Sequence, residues 1–301
     1  MINLKIELPP DFLEEENRDG YVVSKAKKEI WAVQLDLVCE LFRVCEENGL
    51  TIFPEGGTLL GAVRHRGYIP WDDDIDFMMN RTDYNRLCEI APSAFKHPYF
   101  FQTEETDPGS IYWHAKLRNS ETTGILYSQY PGKYKFNQGI FIDIFPYDNV
   151  PDNQVEREYF LNKIDRLRFA AYDYSCLVYR GQGSQNRMKN FIKMIIRFLC
   201  RLFLPSNLLY KHLQKIAGKY NGKTKTIGAV SYSGHDAYLF DMTWFENDME
   251  VPFEFIKMRI PTLSDKILER AFGDWRKPVM GGGEHGDVLF NTEKPYTDFI
   301  R

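Results

Sequence analysis

From Ser24 onward the apolar residues recur at helical spacing. Ile30, Val33, Leu37, Leu41 and Cys45 fall on one stripe, which predicts a long core-packed helix capped by Ser24 and running to about Asn48-Gly49. A short apolar run over residues 50–55 predicts a first strand, and residues 58–66 predict a helix. Thr82 is the expected cap of a helix through about Ala94, with Asp83 in its first turn. Strands are predicted over residues 99–103, 111–117 and 139–145. Ser264 or Asp265 opens a short helix ending at Gly273, with Leu263, Ile267, Leu268 and Phe272 on its apolar side. Strands mixed with helices predict an α/β or α+β core, of which α+β is the expectation.

The middle of the chain differs. Between Tyr174 and His235 there is no Asp or Glu, while Lys and Arg number eleven. Its centre, RMKNFIKMIIRFLCRLFLP, alternates bases with large apolar residues, so a helix there is amphipathic and basic. Two roles fit: a helix packed on the core with its bases in solvent, or one lying on an anionic membrane. No recognition motif for nucleic acid is present, so nucleic acid is not an expected partner. The pattern divides the chain into residues 1–150, a core with an N-terminal helix; 151–235, a basic helical region; and 236–301, a mixed segment packing on the core.

A chain of 301 residues with 44% hydrophobic residues is long enough for a sizeable core, and a net charge of −4 gives no global attraction to nucleic acid. The five cysteines form no CxxC pair, and read as buried free thiols in a reducing compartment. The N-terminus lacks a signal-peptide pattern and no apolar run reaches transmembrane length, so the expectation is a cytoplasmic protein that can reach the inner face of a membrane.

The candidate chemistry lies in GGTLLGAVRHRGYIPWDDDID, residues 56–76. Asp72, Asp73, Asp74 and Asp76 crowd its end. Two like charges about 4 Å apart repel by about 4 kcal/mol at a partly buried site, so such a cluster stays in water or holds cations. The flanks, Ile69, Pro70 and Trp71 before and Ile75, Phe77, Met78 and Met79 after, draw it toward a core. Asp74-Ile75-Asp76-Phe77-Met78 alternates as a half-buried strand does, which puts Asp74 and Asp76 on one face. Two carboxylates so placed suit hard divalent cations. Upstream, Gly56-Gly57-Thr58 before a helix is an arrangement that can cradle a phosphate. Asp143, inside the aromatic and β-branched run Phe141–Phe145, either pairs with Lys116 or Arg118 or faces the same cations. Asp148 sits after Pro146 and reads as a turn or capping residue.

The stretch GGTLLGAVRHRGYIPWDDDIDFMM and the later FIDIFPYDNV closely resemble the LicD family of phosphocholine transferases, which shares the nucleotidyltransferase fold and includes fukutin-related proteins. The resemblance is strong over residues 8–150 and returns in FGDWRKP and FNTEKPY. It implies a mixed sheet flanked by helices, with Asp143 on a neighbouring strand completing the metal site of Asp74 and Asp76. Two Mg2+ or Mn2+ ions would clamp the attacking and leaving oxygens of an in-line displacement, and Asp143 would also be the general base. Gly56, Gly57 and Thr58 would hold the donor phosphates, with Arg64 and Arg66 as the nearest bases, or as partners of Asp72 and Asp73. Asp72 and Asp73 are expected outside the metal shell, in support or in solvent.

The implied donor is a CDP-activated alcohol, CDP-choline by resemblance, with ribitol or glycerol phosphate donors using the same chemistry. The implied acceptor is a hydroxyl of a cell-surface glycan or its precursor, which can be lipid-linked. Trp71, Tyr112 and Trp113 are the candidate aromatic faces for a quaternary ammonium. The gap of 17 positions from Gly57 to Asp74 is wider than in many nucleotidyltransferases and is shared by LicD-like sequences. Two alternatives remain open: transfer of a nucleoside monophosphate to a hydroxyl, and a non-catalytic, metal-binding scaffold.

Overall fold

The computed structural model describes residues 4–110, 112–127, 135–175, 187–203, 207–279 and 288–300. In chain order the elements are β1 (Glu16–Arg18), β2 (Tyr21–Val23), α1 (Lys25–Glu47), β3 (Phe53–Pro54), α2 (Gly56–Arg64), β4 (Asp76–Asn80), α3 (Arg81–Ala94), β5 (Tyr99–Gln102), β6 (Ala115–Asn119), β7 (Thr123–Leu126) and β8 (Ile140–Val150). The remainder is α4 (Gln154–Ser175), α5 (Arg187–Phe203), α6 (Leu208–Ala217), β9 (Thr226–Gly228), α7 (Val230–Ser233), β10 (Phe240–Asp241), β11 (Asp248–Phe253), β12 (Ile256–Pro261), α8 (Ser264–Phe272) and β13 (Val288–Asn291). The fold is α+β. The glycine run Gly281-Gly282-Gly283 and the His285 that follows it lie outside the described residues, as does the start of the strand predicted from residue 111.

The sheet is organised on β8. One edge pairs in parallel with β4, Asp76 opposite Asp143 and Asn80 opposite Tyr147, and β3 pairs antiparallel beyond it. The other edge is shared. Its first half pairs antiparallel with β6, which pairs with β5, and its end pairs with β9, followed by β10. β9 and β10 therefore tie residues from the middle and the last third of the chain into the same sheet as the N-terminal strands.

Helix α1 begins where predicted: the Ser24 side chain accepts a hydrogen bond from the Lys27 amide at 3.3 Å. Its stripe, Val33, Leu37, Leu41 and Cys45, is buried in the main core with Phe77, Met79, Leu117 and Ile142 from the sheet. α3 is capped two positions earlier than expected, by Asn80, whose side chain accepts from the Asp83 amide at 3.0 Å, with Thr82 already helical. A second, smaller core joins α4 and α6 to Trp113 and Val150.

Asp148 is not a turn residue. It lies within β8, fully buried, in an ion pair with Arg81 at 2.5 Å, and Asn221 donates to it at 3.0 Å. Pro146 does not end the strand, because β8 continues through it to Val150. Arg81 also reaches Gln214 at 2.7 Å, so one buried pair links α3, β8 and α6. Replacing Asp148 with Asn should leave a buried guanidinium without its counter-charge and cost about 3–5 kcal/mol in urea unfolding. The apolar double variant Arg81→Met/Asp148→Leu should be distinctly milder, and equal losses in the two would show that the charge balance is not what matters there.

Candidate active site at the end of the central strands

Two neighbouring chain segments build the acidic end of the sheet. The Glu55 amide donates to the Asp76 carbonyl at 2.9 Å, and the Asp76 amide donates to the Thr58 hydroxyl at 2.9 Å, which clamps the first turn of α2 onto the start of β4. The loop before β4 is held from α1: Trp31 Nε1 donates to the Asp72 carbonyl at 3.2 Å and Gln34 Nε2 to the Asp73 carbonyl at 2.8 Å. Trp31 in turn stacks on Tyr68, ring centres 4.3 Å apart. The long helix thus fixes the acidic loop through polar edges of its buried face.

β4 begins at Asp76, so Asp74 lies in the loop and not on the strand as the alternation predicted. The ladder nonetheless reaches back, with the Asp143 amide donating to the Ile75 carbonyl at 2.9 Å. Asp76 and Asp143 are direct neighbours in a parallel pair. Across the other edge of β8, Lys116 of β6 stands opposite Asp143. Lys116 Nζ makes a short ion pair with Asp143 Oδ1, and His114 Nε2 lies 2.9 Å from the same oxygen. Of the two partners considered from sequence, Lys116 is the one found. Arg118 instead binds Gln102 Oε1 at 2.6 Å and the Gly139 carbonyl at 2.7 Å.

Charge and burial set the behaviour of these groups. Burial raises Asp76 well above the usual carboxylate range, and the charges of Asp74, Asp143 and Glu55 add to it. Burial pushes Glu55 up to about 7, reinforced by Asp74 and Asp143 and partly offset by a 3.0 Å hydrogen bond from Tyr147. Asp72 is raised to about 8 by burial and by Asp74. Asp143 goes the other way: burial alone would raise it, but Lys116 and His114 outweigh this and hold it well below the usual range. Tyr232 of α7 stands at the rim, its ring 4.9 Å from His114, and burial followed by the charges of Asp143, Asp76 and Glu55 lifts it to about 12.

A cleft of about 390 Å³ opens beside this cluster, lined by Gly57, Arg64, Trp71, Asp72, Asp74, Asp76 and Trp275 among others. That volume suits a nucleotide-sized ligand. Gly56 has φ +54°, a left-handed conformation that glycine favours, at the first position of α2. At Gly57 a Cβ would come within 2.9 Å of Asp72 Oδ2, so the absence of a side chain lets that carboxylate lie against the helix N-terminus. Asp72 is therefore a buried wall of the cleft, not a solvated residue.

Arg64 reaches the cleft with part of its guanidinium committed, Nη1 donating to the Trp275 carbonyl at 2.7 Å. Arg66 lines a different hollow, with Asp11, Arg18 and Glu254, because its left-handed backbone, φ +56°, turns the chain away after α2. Trp113 is likewise placed elsewhere, buried in the second core and stacked on Tyr210. Tyr112 lies with Lys116, its ring centre 4.6 Å from Nζ, and Trp71 is the predicted aromatic that lines the cleft.

Asp74, Asp76 and Asp143, the residues expected to hold cations, thus form one electrostatic group, to which the structure adds Glu55. Among the described residues, carboxylate oxygens of Asp72, Asp73 and Asp74 also lie within 4.8 Å of one another. The donors are all hard oxygen atoms, and the elevated proton affinities of Asp76, Glu55 and Asp72 mark a local deficit of positive charge. Both features fit Mg2+ or Mn2+. Glu55, His114, Tyr232 and Trp275 were not singled out from sequence. His114, Lys116 and Arg118 at every second position of an otherwise apolar strand were the available signal, since buried bases at that spacing need acids opposite them.

The sequence pattern of the family described as LicD/FKTN/FKRP, nucleotidyltransferase domain, matches residues 49–180. That span contains α2, the acidic loop, β4, β6 and β8. The chain is also similar to the lipopolysaccharide cholinephosphotransferase LicD of Haemophilus influenzae, 27% identical over 269 residues, covering 81% of this chain and 89% of that protein. Residues 49–180 therefore match a LicD-family nucleotidyltransferase domain. Shorter similarities extend to an uncharacterised protein of Rickettsia typhi, 30% identical over 41% of this chain and 44% of that one, and to one of Rickettsia prowazekii, 38% identical over 27% and 29%. The matched residues include the acidic end of the sheet, with Asp74, Asp76 and Asp143.

The raised carboxylates make a pH-dependent prediction. Unfolded Asp and Glu titrate near 4. Glu55 and Asp72, at about 7 and about 8, keep protons in the folded chain over a window in which the unfolded chain has released them. Their contribution to stability is present at low pH and lost as pH rises from about 4 to about 8. Asp143 acts oppositely and lower, its contribution being lost as pH falls below about 4. Melting temperature in chelator should therefore fall between about pH 5.5 and pH 8. Added Mg2+ or Mn2+ should raise it, more at the higher pH. A cation effect that is absent, or equal at both pH values, would remove the cluster as the cation site.

Proposed function

We propose that this protein is a phosphotransferase that moves a phospho-alcohol group, phosphocholine from CDP-choline, onto a hydroxyl of a cell-surface glycan or its precursor. The observation that carries the reading is the juxtaposition of Asp76 and Asp143 on parallel strands, with Asp74 and Asp76 lining a cleft beside the first turn of α2. Similarity over most of its length to a lipopolysaccharide cholinephosphotransferase supports the choice of group transferred.

In this proposal Asp74, Asp76 and Asp143 hold divalent cation, Mg2+ or Mn2+, with Glu55 and Asp72 in reserve around them. Bound cation would neutralise charge on the donor pyrophosphate and on the oxygens exchanged at phosphorus. The chain's own groups do the rest. Gly57 brings the α2 N-terminus to the cleft wall beside the Asp72 carboxylate, and Arg64 adds a positive charge at the same wall. Thr58 spends its hydroxyl as acceptor for the Asp76 amide, so its part is to fix Asp76. Lys116 and His114 keep Asp143 ionised. A carboxylate held so far below neutral pH is a weak proton acceptor, so Asp143 retains charge for the cation rather than serving as the general base. Trp71, Phe272 and Trp275 supply the aromatic surface available in the cleft to a quaternary ammonium.

The test is incubation with a panel of CDP-alcohols and nucleoside triphosphates, in Mg2+ and in chelator, with mass spectrometry of the products. The expected outcome is cation-dependent release of CMP from CDP-choline and gain of phosphocholine by a glycan acceptor. Release of pyrophosphate with nucleotide on the acceptor would overturn it in favour of nucleotidyl transfer. Asp143 offers a sharper check. Asp143→Asn should lower turnover at least about a hundredfold, the scale of losing one preorganised electrostatic group. It should also cost stability, because Lys116 loses its counter-charge and His114 a charged hydrogen-bond partner. Adding Lys116→Met should restore stability but not turnover. Recovery of both would make Asp143 a structural partner only.

A further inference from the structure

Outside the cleft, α5 stands apart from the other helices. Met188, Phe191, Ile192, Ile195, Phe198 and Leu199 recur along it at intervals of three and four, and all are exposed, from 42% for Ile195 to 71% for Met188. That spacing draws one apolar stripe down the helix. The comparable stripes of α1, α6 and α8 face inward: Leu37 and Leu41, Leu213 and Ala217, Ile267 and Leu268 are all buried. A continuous exposed stripe of large apolar side chains marks a contact surface.

The charge of the segment selects what covers it. Lys189 is exposed beside the stripe, and the sequence continues with Lys193, Arg197 and Arg201 at four-residue intervals, the spacing of one helix face. No acid occurs between Tyr174 and His235. A second copy stacked through this face would bring two stretches of the same sign together. An anionic lipid surface supplies both requirements at once, hydrocarbon for the stripe and phosphate for the bases. The helix has 17 residues, and among the described residues no helix is long and apolar enough to cross a membrane. Its geometry is that of a helix lying in the surface plane.

We propose that α5 is an interfacial helix that seats this protein on an anionic bilayer, its apolar stripe inserted at the boundary of headgroups and acyl chains. The inference does not depend on the chemistry of the cleft, and its test reads binding alone. The full-length protein is floated with phosphatidylcholine vesicles, and with vesicles in which about a third of the lipid is phosphatidylglycerol. Binding should be confined largely to the anionic vesicles and should weaken as salt is raised. The triple variant Phe191→Ser, Ile195→Ser, Phe198→Ser should bind at least about tenfold more weakly, with an unchanged melting temperature, since those side chains face solvent. A second variant, Lys189→Gln, Lys193→Gln, Arg197→Gln, should keep its fold and lose the preference for anionic lipid.

Equal flotation with both vesicle types at low salt would overturn the proposal, as would serine-variant binding equal to that of the parent. A fall in melting temperature of the serine variant would make the stripe part of the core and would equally overturn it. So would a vesicle-free dimer that the serine substitutions dissolve, which would assign the stripe to a second copy.

Discussion

Repulsion among carboxylates is the constraint around which this fold is arranged. Glu55, Asp74, Asp76 and Asp143 are gathered at one end of the sheet, and the parallel register of β4 and β8 makes Asp76 and Asp143 immediate neighbours. Such a group opposes folding wherever the acids are ionised. The structure meets it in three ways. Lys116 of the adjacent strand balances the charge of Asp143, and a His114 ring nitrogen hydrogen-bonds it. Protonation relieves Glu55 and Asp72 near neutral pH, and burial raises Asp76 well above the usual carboxylate range. Main-chain hydrogen bonds, with Trp31 and Gln34 of α1, hold the loop so that it cannot swing its acids into solvent. This asymmetric solution, one acid permanently charged and its neighbours reluctant, leaves a site that a small hard cation would complete.

Much of the frame was legible in the chain. The stripe of α1 and its Ser24 cap, the helix after the glycine pair and the strands carrying Asp76 and Asp143 all follow from local periodicity, because each buries one regular face. The meeting of Asp76 with Asp143 was not available from periodicity. It depends on strand order and register, which are set by contacts between segments far apart in sequence, and only the family resemblance pointed to it.

The misreadings have physical causes of the same kind. Asp148 looks like a turn residue after proline, yet Pro146 is accommodated in β8 and the acid is balanced by Arg81, 67 residues away. Arg66 is close to Arg64 in sequence, but one residue in a left-handed conformation sends the two to different hollows. Glu55 carries no pattern of its own. Its importance arises from being the residue before α2, where the helix axis aims it at the neighbouring acids. Lys116 was visible as a partner, and His114 became one only because an antiparallel strand returns every second side chain to the same face.

The way the chain leaves and rejoins β8 has a further consequence. The strand ends at Val150, and β9 returns to pair with Asp148, Asn149 and Val150 themselves. The exit and the return are sewn together: Asn149 binds Asn221 and Thr224, and the Asp152 carboxylate receives the amides of Lys225 and Thr226. The helices α4, α5 and α6 therefore hang from a closed neck. An excursion anchored in this way can be lengthened, shortened or exchanged for another without shifting the register of β8, and so without moving Asp143. The acidic site and the helices of this excursion are free to diversify separately.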